Sequence, residues 1–215
     1  MPEKRIYSTE PEDKKRYTDE YDRFYSRFAS IYDWFVRIFP TWRNWLRHAT
    51  PYIEGPRVLE VSFGTGYLLT QYADRFQTYA VDYNRKIASL ARDKLKQHDI
   101  PANIQIADVE ALPYRDASFD TIVNTMAFTG YPDGKLALSE IMRVLKPAGH
   151  LVMIDINYPH DGNRIGKFLT RAWMAVGDII RDMDDLFTQF DIEYTDEQIG
   201  GLGSVHLYVA RKSEA

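Results

Sequence analysis

The regular alternation of strand-like and helix-like segments beyond Pro51 constrains the fold of this chain more than any other feature. Apolar residues recur at helical spacing in the intervening segments, as at Ile87, Ala91 and Leu95. The strand-like runs cover residues 57–61, 78–81, 104–106, 119–123 and 150–154. Buried strands that alternate with helices are typical of a parallel sheet covered on both faces. We therefore predict a doubly wound α/β domain over residues 51–215.

The end of the chain departs from this alternation. Apolar residues at helical spacing from Ile165 to Met183 predict one long amphipathic helix. A short FDIEY run and an alternating run around Leu207 follow, separated by a turn-rich stretch over residues 200–203. We expect these two runs to form a terminal antiparallel hairpin, which would complete a mostly parallel sheet of seven strands.

The N-terminal region differs in character from the rest. Residues 1–20 alternate acids and bases, which predicts a charged tail that is disordered at its extreme end. Aromatic residues then follow one another at steps of three and four, which predicts a helical cap over residues 21–50, interrupted at Pro40. As a lid, the cap would present Tyr25, Phe28 and Tyr32 to a substrate pocket; as plain core, the same side chains would only pack the helix on the sheet.

Composition excludes several classes of function. The 215 residues carry 27 basic and 31 acidic side chains, and this balance argues against nucleic acid as a partner. The absence of cysteine excludes disulfides, thiolate metal sites and thiol nucleophiles. We expect a cytoplasmic protein, because neither a signal peptide nor a membrane-spanning run is recognisable. Arginines among the cap aromatics could meet an anionic lipid surface, but a solvated face explains them as well.

A glycine-rich turn follows the first predicted strand in the segment VLEVSFGTGYLL. Gly64 and Gly66 allow the backbone to turn tightly and to approach a ligand. Asp82 comes directly after the second strand, where a carboxylate can accept both hydroxyl protons of a ribose. This arrangement predicts a nucleoside site. The alternative is that the glycines only make a tight loop and that Asp82 only caps the next helix.

The kind of nucleoside follows from two further positions. A dinucleotide fingerprint requires a third glycine where this chain has Leu69, so pyrophosphate binding is disfavoured. Asp108 and Val109 follow the third strand, where an acid could accept from an adenine amino group and an apolar side chain could pack on the ring. We therefore expect an adenosine ligand without phosphates.

Four motifs in this order resemble the class I S-adenosylmethionine-dependent methyltransferases. They are VLEVSFGTGYLL, VDYNRKIASLARDKL, ADVEALPYRDASFDTIV and IMRVLKPAGHLVMID, within residues 55–155. The resemblance is strongest to the C-methyltransferases of ubiquinone and menaquinone biosynthesis, and it extends upstream to residues 25–33 and 42–45. It implies a Rossmann-like fold, S-adenosyl-L-methionine as cofactor, and methyl transfer to a small, apolar or aromatic acceptor.

The resemblance also implies roles for individual residues. Glu60 would reach the amino-acid portion of the cofactor, and the turn residues Ser62, Gly64, Thr65 and Gly66 would lie under methionine and ribose. The remaining expected cofactor contacts are Asp82 at the ribose, Tyr83 beside the adenine, Asp108 and Val109 at the adenine edge and face, and Asn124 and Thr125 at the methionine end. Ser62 departs from the family pattern, which has glycine there. The region after Ile156 is also less like the quinone enzymes, so a quinone acceptor does not follow from the motifs alone.

Methyl transfer from a sulfonium needs an aligned acceptor, and it needs a base only when that acceptor must lose a proton. Candidates for such a base lie after the fourth and fifth strands. They are Tyr131, Asp155 and His160, with Tyr158 and Asp161 nearby. His160 has an alternative as a solvated loop residue, and Asp155 as a structural one. The other histidines are scattered without ligand spacing, so we expect no metal site.

Two other functions remain open from the sequence. One is a non-catalytic protein that binds S-adenosylmethionine or S-adenosylhomocysteine as a sensor. The other is a nicotinamide-dependent oxidoreductase with the same strand–helix–strand plan. The sequence indicates no oligomeric state.

Overall fold

A computed structural model describes residues 5–38, 40–190 and 192–212; the side chains of Tyr25 and of residues 28–38 lie outside this description. Seven strands form one sheet. In chain order they are β1 (Arg57–Val61), β2 (Gln77–Asp82), β3 (Asn103–Ile106), β4 (Phe119–Thr125), β5 (Leu145–Ile156), β6 (Glu193–Gly200) and β7 (Val205–Arg211). The strands lie in the spatial order β3-β2-β1-β4-β5-β7-β6.

The pairing of the strands confirms the predicted sheet. Strands β1 to β5 pair in parallel, whereas β7 pairs antiparallel with both β5 and β6. The spatial order reverses between β1 and β4, and a crevice opens beyond the carboxyl ends of parallel strands at such a point. The topology therefore fixes where a ligand can enter.

Seven helices connect or cover the described strands. They are α1 (Lys14–Ile38), α2 (Pro40–Arg47), α3 (Leu69–Tyr72), α4 (Arg85–Gln97), α5 (Gly134–Val144), α6 (Arg164–Ala175) and α7 (Met183–Gln189). Two clusters of buried apolar side chains fill the space on the two faces of the sheet, with Leu59, Val61 and Ile122 in one and Val58, Val123 and Val152 in the other. Because adjacent strand residues point to opposite faces, this division is what a doubly covered sheet requires.

The N-terminal region is ordered further upstream than the sequence indicates. Helix α1 begins at Lys14, seven residues before the expected start at Tyr21. Upstream of it, the Ser8 amide donates a 2.8 Å hydrogen bond to the carbonyl of Ile180, and the Tyr158 hydroxyl donates one of 2.7 Å to the carbonyl of Ile6. Polar composition alone does not reveal these long-range contacts. The division into tail, cap and domain stays a prediction.

The predicted long helix from Ile165 to Met183 is wrong. Helix α6 ends at Ala175, and α7 begins only at Met183. Between them the backbone passes Gly177 at φ +113°, a conformation that side chains disfavour. Ile179 and Ile180 are buried in this connection, so their apolar character reflects the core and not a continuous helix.

Candidate functional site

A cleft opens at the carboxyl ends of β1, β2 and β4, where the strand order reverses. Its volume, including the open mouth, is about 1210 Å³. The cleft is lined by nine of the eleven residues predicted to contact the cofactor: Glu60, Ser62, Gly64, Thr65, Asp82, Tyr83, Asp108, Val109 and Thr125. Gly66 and Asn124 are not part of this lining, although both support residues that are.

The turn after β1 takes a left-handed course through three residues. Ser62, Gly64 and Gly66 have φ angles of 53°, 56° and 74°. The left-handed conformation costs energy at Ser62, because a residue with a Cβ is strained at positive φ. At Gly66 a Cβ would lie 3.0 Å from the Cβ of Ala91, so glycine lets helix α4 pack closely under the turn.

Glu60 lies near the end of β1, and only one oxygen of its buried carboxylate accepts a hydrogen bond. The Tyr72 hydroxyl donates a 2.7 Å hydrogen bond to Oε2, while Oε1 has no partner among the described residues. Burial raises the pKa of Glu60 to about 8, because the charged form loses its hydration. A cation in the cleft would supply the missing partner and favour the carboxylate.

Asp82 ends β2 and accepts two backbone hydrogen bonds. Its Oδ2 accepts from the amide of Gly64 at 3.2 Å, and its Oδ1 accepts from the amide of Asn84 at 2.9 Å. Burial, with a smaller contribution from the charge of Asp22, raises the pKa of Asp82 to about 7, although the two amide hydrogen bonds lower it. The alternative in which Asp82 only caps the next helix is wrong, because Asn84 caps α4 and Asp82 both holds the turn and lines the cleft.

The expected adenine contacts lie at the next strand end. Asp108 is half-buried, and its Oδ1 accepts a 2.9 Å hydrogen bond from the amide of Glu110. Val109 is buried beside it, and Tyr83 is exposed at the rim of the cleft. An acid and an apolar side chain are therefore adjacent in the lining, as the sequence predicts.

Tyr131 closes the inner end of the cleft through a hydrogen-bonded chain. Its hydroxyl donates to Oγ of Ser62 at 2.8 Å and accepts from Nδ2 of Asn124 at 2.6 Å. Burial raises the pKa of Tyr131 well above its usual value of 10. A catalytic base needs a pKa near the operating pH, and the buried hydroxyl of Tyr131 does not meet this requirement.

The structure does not bring the other two catalytic candidates to the cleft. Asp155 is buried behind it, where its carboxylate accepts from the amide and the hydroxyl of Thr129 at 3.1 and 3.0 Å. His160 lies on a different part of the surface, with its Nε2 2.8 Å from Oδ2 of Asp196. Tyr158 is buried against the N-terminal segment through the hydrogen bond to Ile6. These three residues are therefore not placed to act on a ligand in the cleft.

Helix α1 covers the cleft with residues that the sequence analysis missed. Thr18, Tyr21 and Asp22 all line it. Nδ2 of Asn84 donates a 2.8 Å hydrogen bond to Oδ1 of Asp22, which fastens the helix to the start of α4. Thr18 and Tyr21 precede Tyr25 at steps of three and four residues. Extending the helical spacing of the aromatic residues toward the N-terminus would therefore have placed both on the same face. The predicted lid residues Tyr25, Phe28 and Tyr32 have side chains outside the described part of the chain.

Comparison with known proteins decides the family. Residues 59–153 match the model of a methyltransferase domain, and this range carries most of the cleft. The chain therefore contains a class I S-adenosylmethionine-dependent methyltransferase domain. Its fold also matches the crystal structure of an S-adenosylmethionine-dependent methyltransferase from Thermotoga maritima, at 17% identity and a TM-score of 0.71, over 89% of this chain and 99% of that one.

The chain is also similar in sequence to curated C-methyltransferases of ubiquinone and menaquinone biosynthesis. It is 32% identical over 158 residues to the ubiquinone/menaquinone biosynthesis C-methyltransferase UbiE of Geobacter sulfurreducens, covering 67% of this chain and 62% of the relative. It is also 32% identical over 126 residues to the protein of the same name from Cellvibrio japonicus, covering 56% and 51%. The chain thus spans about half to two thirds of the length of these relatives. No helix in the described part of the chain is long and apolar enough to cross a membrane.

Proposed function

We propose that this protein transfers a methyl group from S-adenosylmethionine to a small, apolar or aromatic acceptor by in-line displacement. The observation that carries the proposal is the convergence of Glu60, Asp82 and Asp108 on one cleft from the ends of three neighbouring strands. The cofactor has three hydrogen-bond donors in a matching order, namely an α-ammonium group, a ribose diol and an adenine amino group.

The unpartnered oxygen of Glu60 supports this assignment most directly. A buried carboxylate oxygen without a hydrogen bond is costly, and Oε1 of Glu60 is such an atom at the wall of the cleft. An ammonium group, directly or through a water molecule, would remove that cost. Nicotinamide dinucleotides have no ammonium group to donate to Glu60, and Leu69 stands where their pyrophosphate would require glycine.

The acceptor would occupy the part of the cleft that apolar side chains line. Leu46, Phe63 and Met126 contribute to this wall. Beside it, the guanidinium carbons of Arg43 and Arg47 lie 6.0 and 5.8 Å from the centre of the Tyr67 ring. This combination favours an aromatic acceptor whose attacking group is anionic or becomes so, such as a phenol or a quinol.

Catalysis would rest on positioning. The bound cofactor supplies an electrophilic methyl group on its sulfonium. The chain supplies the cleft, a covering helix α1, and a Tyr131 hydroxyl fixed at the inner end by Ser62 and Asn124. Alignment of two reactants can contribute as much as roughly 7–11 kcal/mol to lowering a barrier, so a dedicated base is not required.

Transfer of a labelled methyl group tests the proposal. The protein is incubated with methyl-labelled S-adenosylmethionine and a panel of demethylated quinols, phenols, amines and phospholipids. We expect label in an apolar or aromatic member, and less label with Asp82→Asn at the same subsaturating cofactor concentration. Binding of the cofactor without transfer to any member would favour the sensor, and tight binding of NAD in place of the cofactor would favour the oxidoreductase. A cytoplasmic location and an acceptor other than nucleic acid remain part of the proposal.

A further inference from the structure

A second cluster of chemically active side chains lies away from the cofactor cleft. His160, Asp196 and His206 each offer one ligand-type atom, and the three atoms lie within 4.8 Å of one another. Oδ2 of Asp196 is 2.8 Å from Nε2 of His160, and Oδ1 is 2.7 Å from Nδ1 of His206. One carboxylate therefore stands between two imidazoles.

The fold holds these residues on three adjacent segments. Asp196 on β6 pairs with Tyr208 on β7, so His206 lies two residues along on the same face of the hairpin. His206 in turn pairs with Asp155 on β5, and the chain leaving β5 carries His160 back over the hairpin. The two histidines are distant in the chain, which is why local spacing gave no sign of the cluster.

The environment of the cluster favours a cation. A small cavity beside it is also lined by the carboxylates of Asp182 and Asp184, while Arg5 contributes a single opposing charge. The side chain of His206 is 1% exposed and that of Asp196 is 13% exposed, whereas that of His160 is 48% exposed. Two ligands are thus fixed in the interior, and the third can adjust from the surface.

We propose that His160, Asp196 and His206 bind a divalent transition metal ion such as Zn²⁺, which fastens the loop after β5 to the terminal hairpin. Two imidazole nitrogens and one carboxylate oxygen are a common set of three protein ligands for zinc, with the fourth position left to water. Zinc ligands at about 2.0–2.2 Å in a tetrahedron lie about 3.3 Å or more apart. Each imidazole nitrogen lies 2.7–2.8 Å from a different oxygen of Asp196, so the side chains must shift to bring one carboxylate oxygen and both nitrogens around an ion.

The competing explanation is that the cluster is only a hydrogen-bonded clasp. In that case each imidazole donates to Asp196, and the loop and hairpin are joined without a metal. The two explanations differ in one measurable property, because a clasp of hydrogen bonds does not bind zinc with defined stoichiometry.

Titration of the full chain with ZnCl₂ tests the proposal. The protein carries no affinity tag and is first freed of metals with a chelator. The informative variant is His160→Gln, because the glutamine amide can still donate to Asp196 but binds zinc poorly. The matched control is His98→Gln, which removes another exposed histidine, at the end of helix α4. Thermal unfolding with and without zinc gives a second measurement, because a metal that binds only the folded state raises the melting temperature.

We expect one zinc ion per chain, and loss of a ligand should weaken binding by about tenfold or more, as loss of even an outer-sphere partner commonly does. Zinc should raise the melting temperature of the wild type and of His98→Gln, and much less that of His160→Gln. Absence of stoichiometric binding in the wild type would overturn the proposal. Equal affinity in the wild type and His160→Gln would overturn it as well, since zinc would then bind elsewhere.

Discussion

The Tyr72 hydroxyl donates a 2.7 Å hydrogen bond to Oε2 of Glu60, and Oε1 of the same carboxylate is left buried without a partner among the described residues. Tyr72 follows the glycine-rich turn, and Glu60 precedes it. The turn thus holds one oxygen of the acid in place and leaves the other for a ligand. Because burial raises the pKa of Glu60 to about 8, the acid is largely protonated near neutral pH until a cation arrives.

Replacing Glu60 by glutamine should weaken cofactor binding selectively. The isosteric amide removes the negative charge but keeps the shape, and a hydrogen bond to a charged group contributes about 1.5–3 kcal/mol. We expect the Kd of S-adenosylhomocysteine to rise by about tenfold or more, and that of 5′-methylthioadenosine, which lacks the amino acid, to stay nearly constant. Calorimetric titration of both ligands measures the difference. Equal weakening of the two ligands would show that Glu60 does not contact the amino-acid portion.

Asp82→Asn should weaken both ligands, because both contain the ribose. The expected loss is again about 1.5–3 kcal/mol for a charged acceptor. Asparagine is preferable to alanine, since Asp82 also accepts from the amides of Gly64 and Asn84, and the amide oxygen can keep one of these bonds. Circular dichroism and urea unfolding check that the fold is retained. Unchanged affinity for both ligands in a folded variant would refute the ribose assignment.

Cofactor binding should release protons near neutral pH. The pKa values of Glu60 and Asp82, about 8 and about 7, both lie above the ordinary carboxyl range because of burial. An ammonium and a ribose diol favour the charged forms, so the affinity should increase between about pH 6 and 7.5, by as much as tenfold per pH unit for each proton released. Calorimetry in buffers with different ionisation enthalpies counts the protons. Binding without proton release would contradict the account of both acids.

The same two acids should make the ligand-free protein less stable as pH rises. Their pKa values are higher in the folded state than in the unfolded chain, so the folded state binds more protons. Their contribution to stability is fully present below about pH 4 and is lost as the pH rises through 7 and 8. Urea unfolding of Glu60→Gln and of the wild type across this range isolates the effect, and parallel stability curves for the two proteins would argue against it.

The contact between Asp22 and Asn84 should control how tightly helix α1 covers the cleft. Asn84 caps α4 by accepting from the amide of Ile87, and its Nδ2 donates to Asp22. Asn84→Asp keeps the cap but places two carboxylates together. We expect faster hydrogen exchange in α1, and the double variant with Asp22→Asn should restore protection. Exchange in α4 serves as the control, because its cap is retained; unaltered exchange of α1 in the single variant would refute the coupling.

The sequence predicted the parts of the site that follow from the topology. Glu60, Asp82 and Asp108 each stand at or just beyond the end of a buried strand, and parallel strands bring their carboxyl ends to one edge. Local patterns were therefore enough to place all three acids in one cleft. The family resemblance added their roles, but their common location follows from strand order alone.

The sequence could not predict contacts that join distant segments through side-chain direction. His160 follows β5 and was expected near the cleft. Strand β7 lies beside β5 on the side away from the cleft, and His160 contacts Asp196 on that side. The hydrogen-bonded series from Ser62 through Tyr131 to Asn124 likewise depends on two loops meeting the end of β4. Thr18 was missed because the first turns of α1 are polar, although its spacing matches the aromatic residues that follow.

The most direct test of the central claim is a calorimetric comparison of S-adenosylhomocysteine with NAD on the wild type and on Asp82→Asn. The account predicts one binding site for S-adenosylhomocysteine, a loss of affinity of about tenfold or more in the variant, and no saturable binding of NAD. Saturable binding of NAD with no response to S-adenosylhomocysteine would contradict it, and the cleft would then have to be assigned to a different ligand.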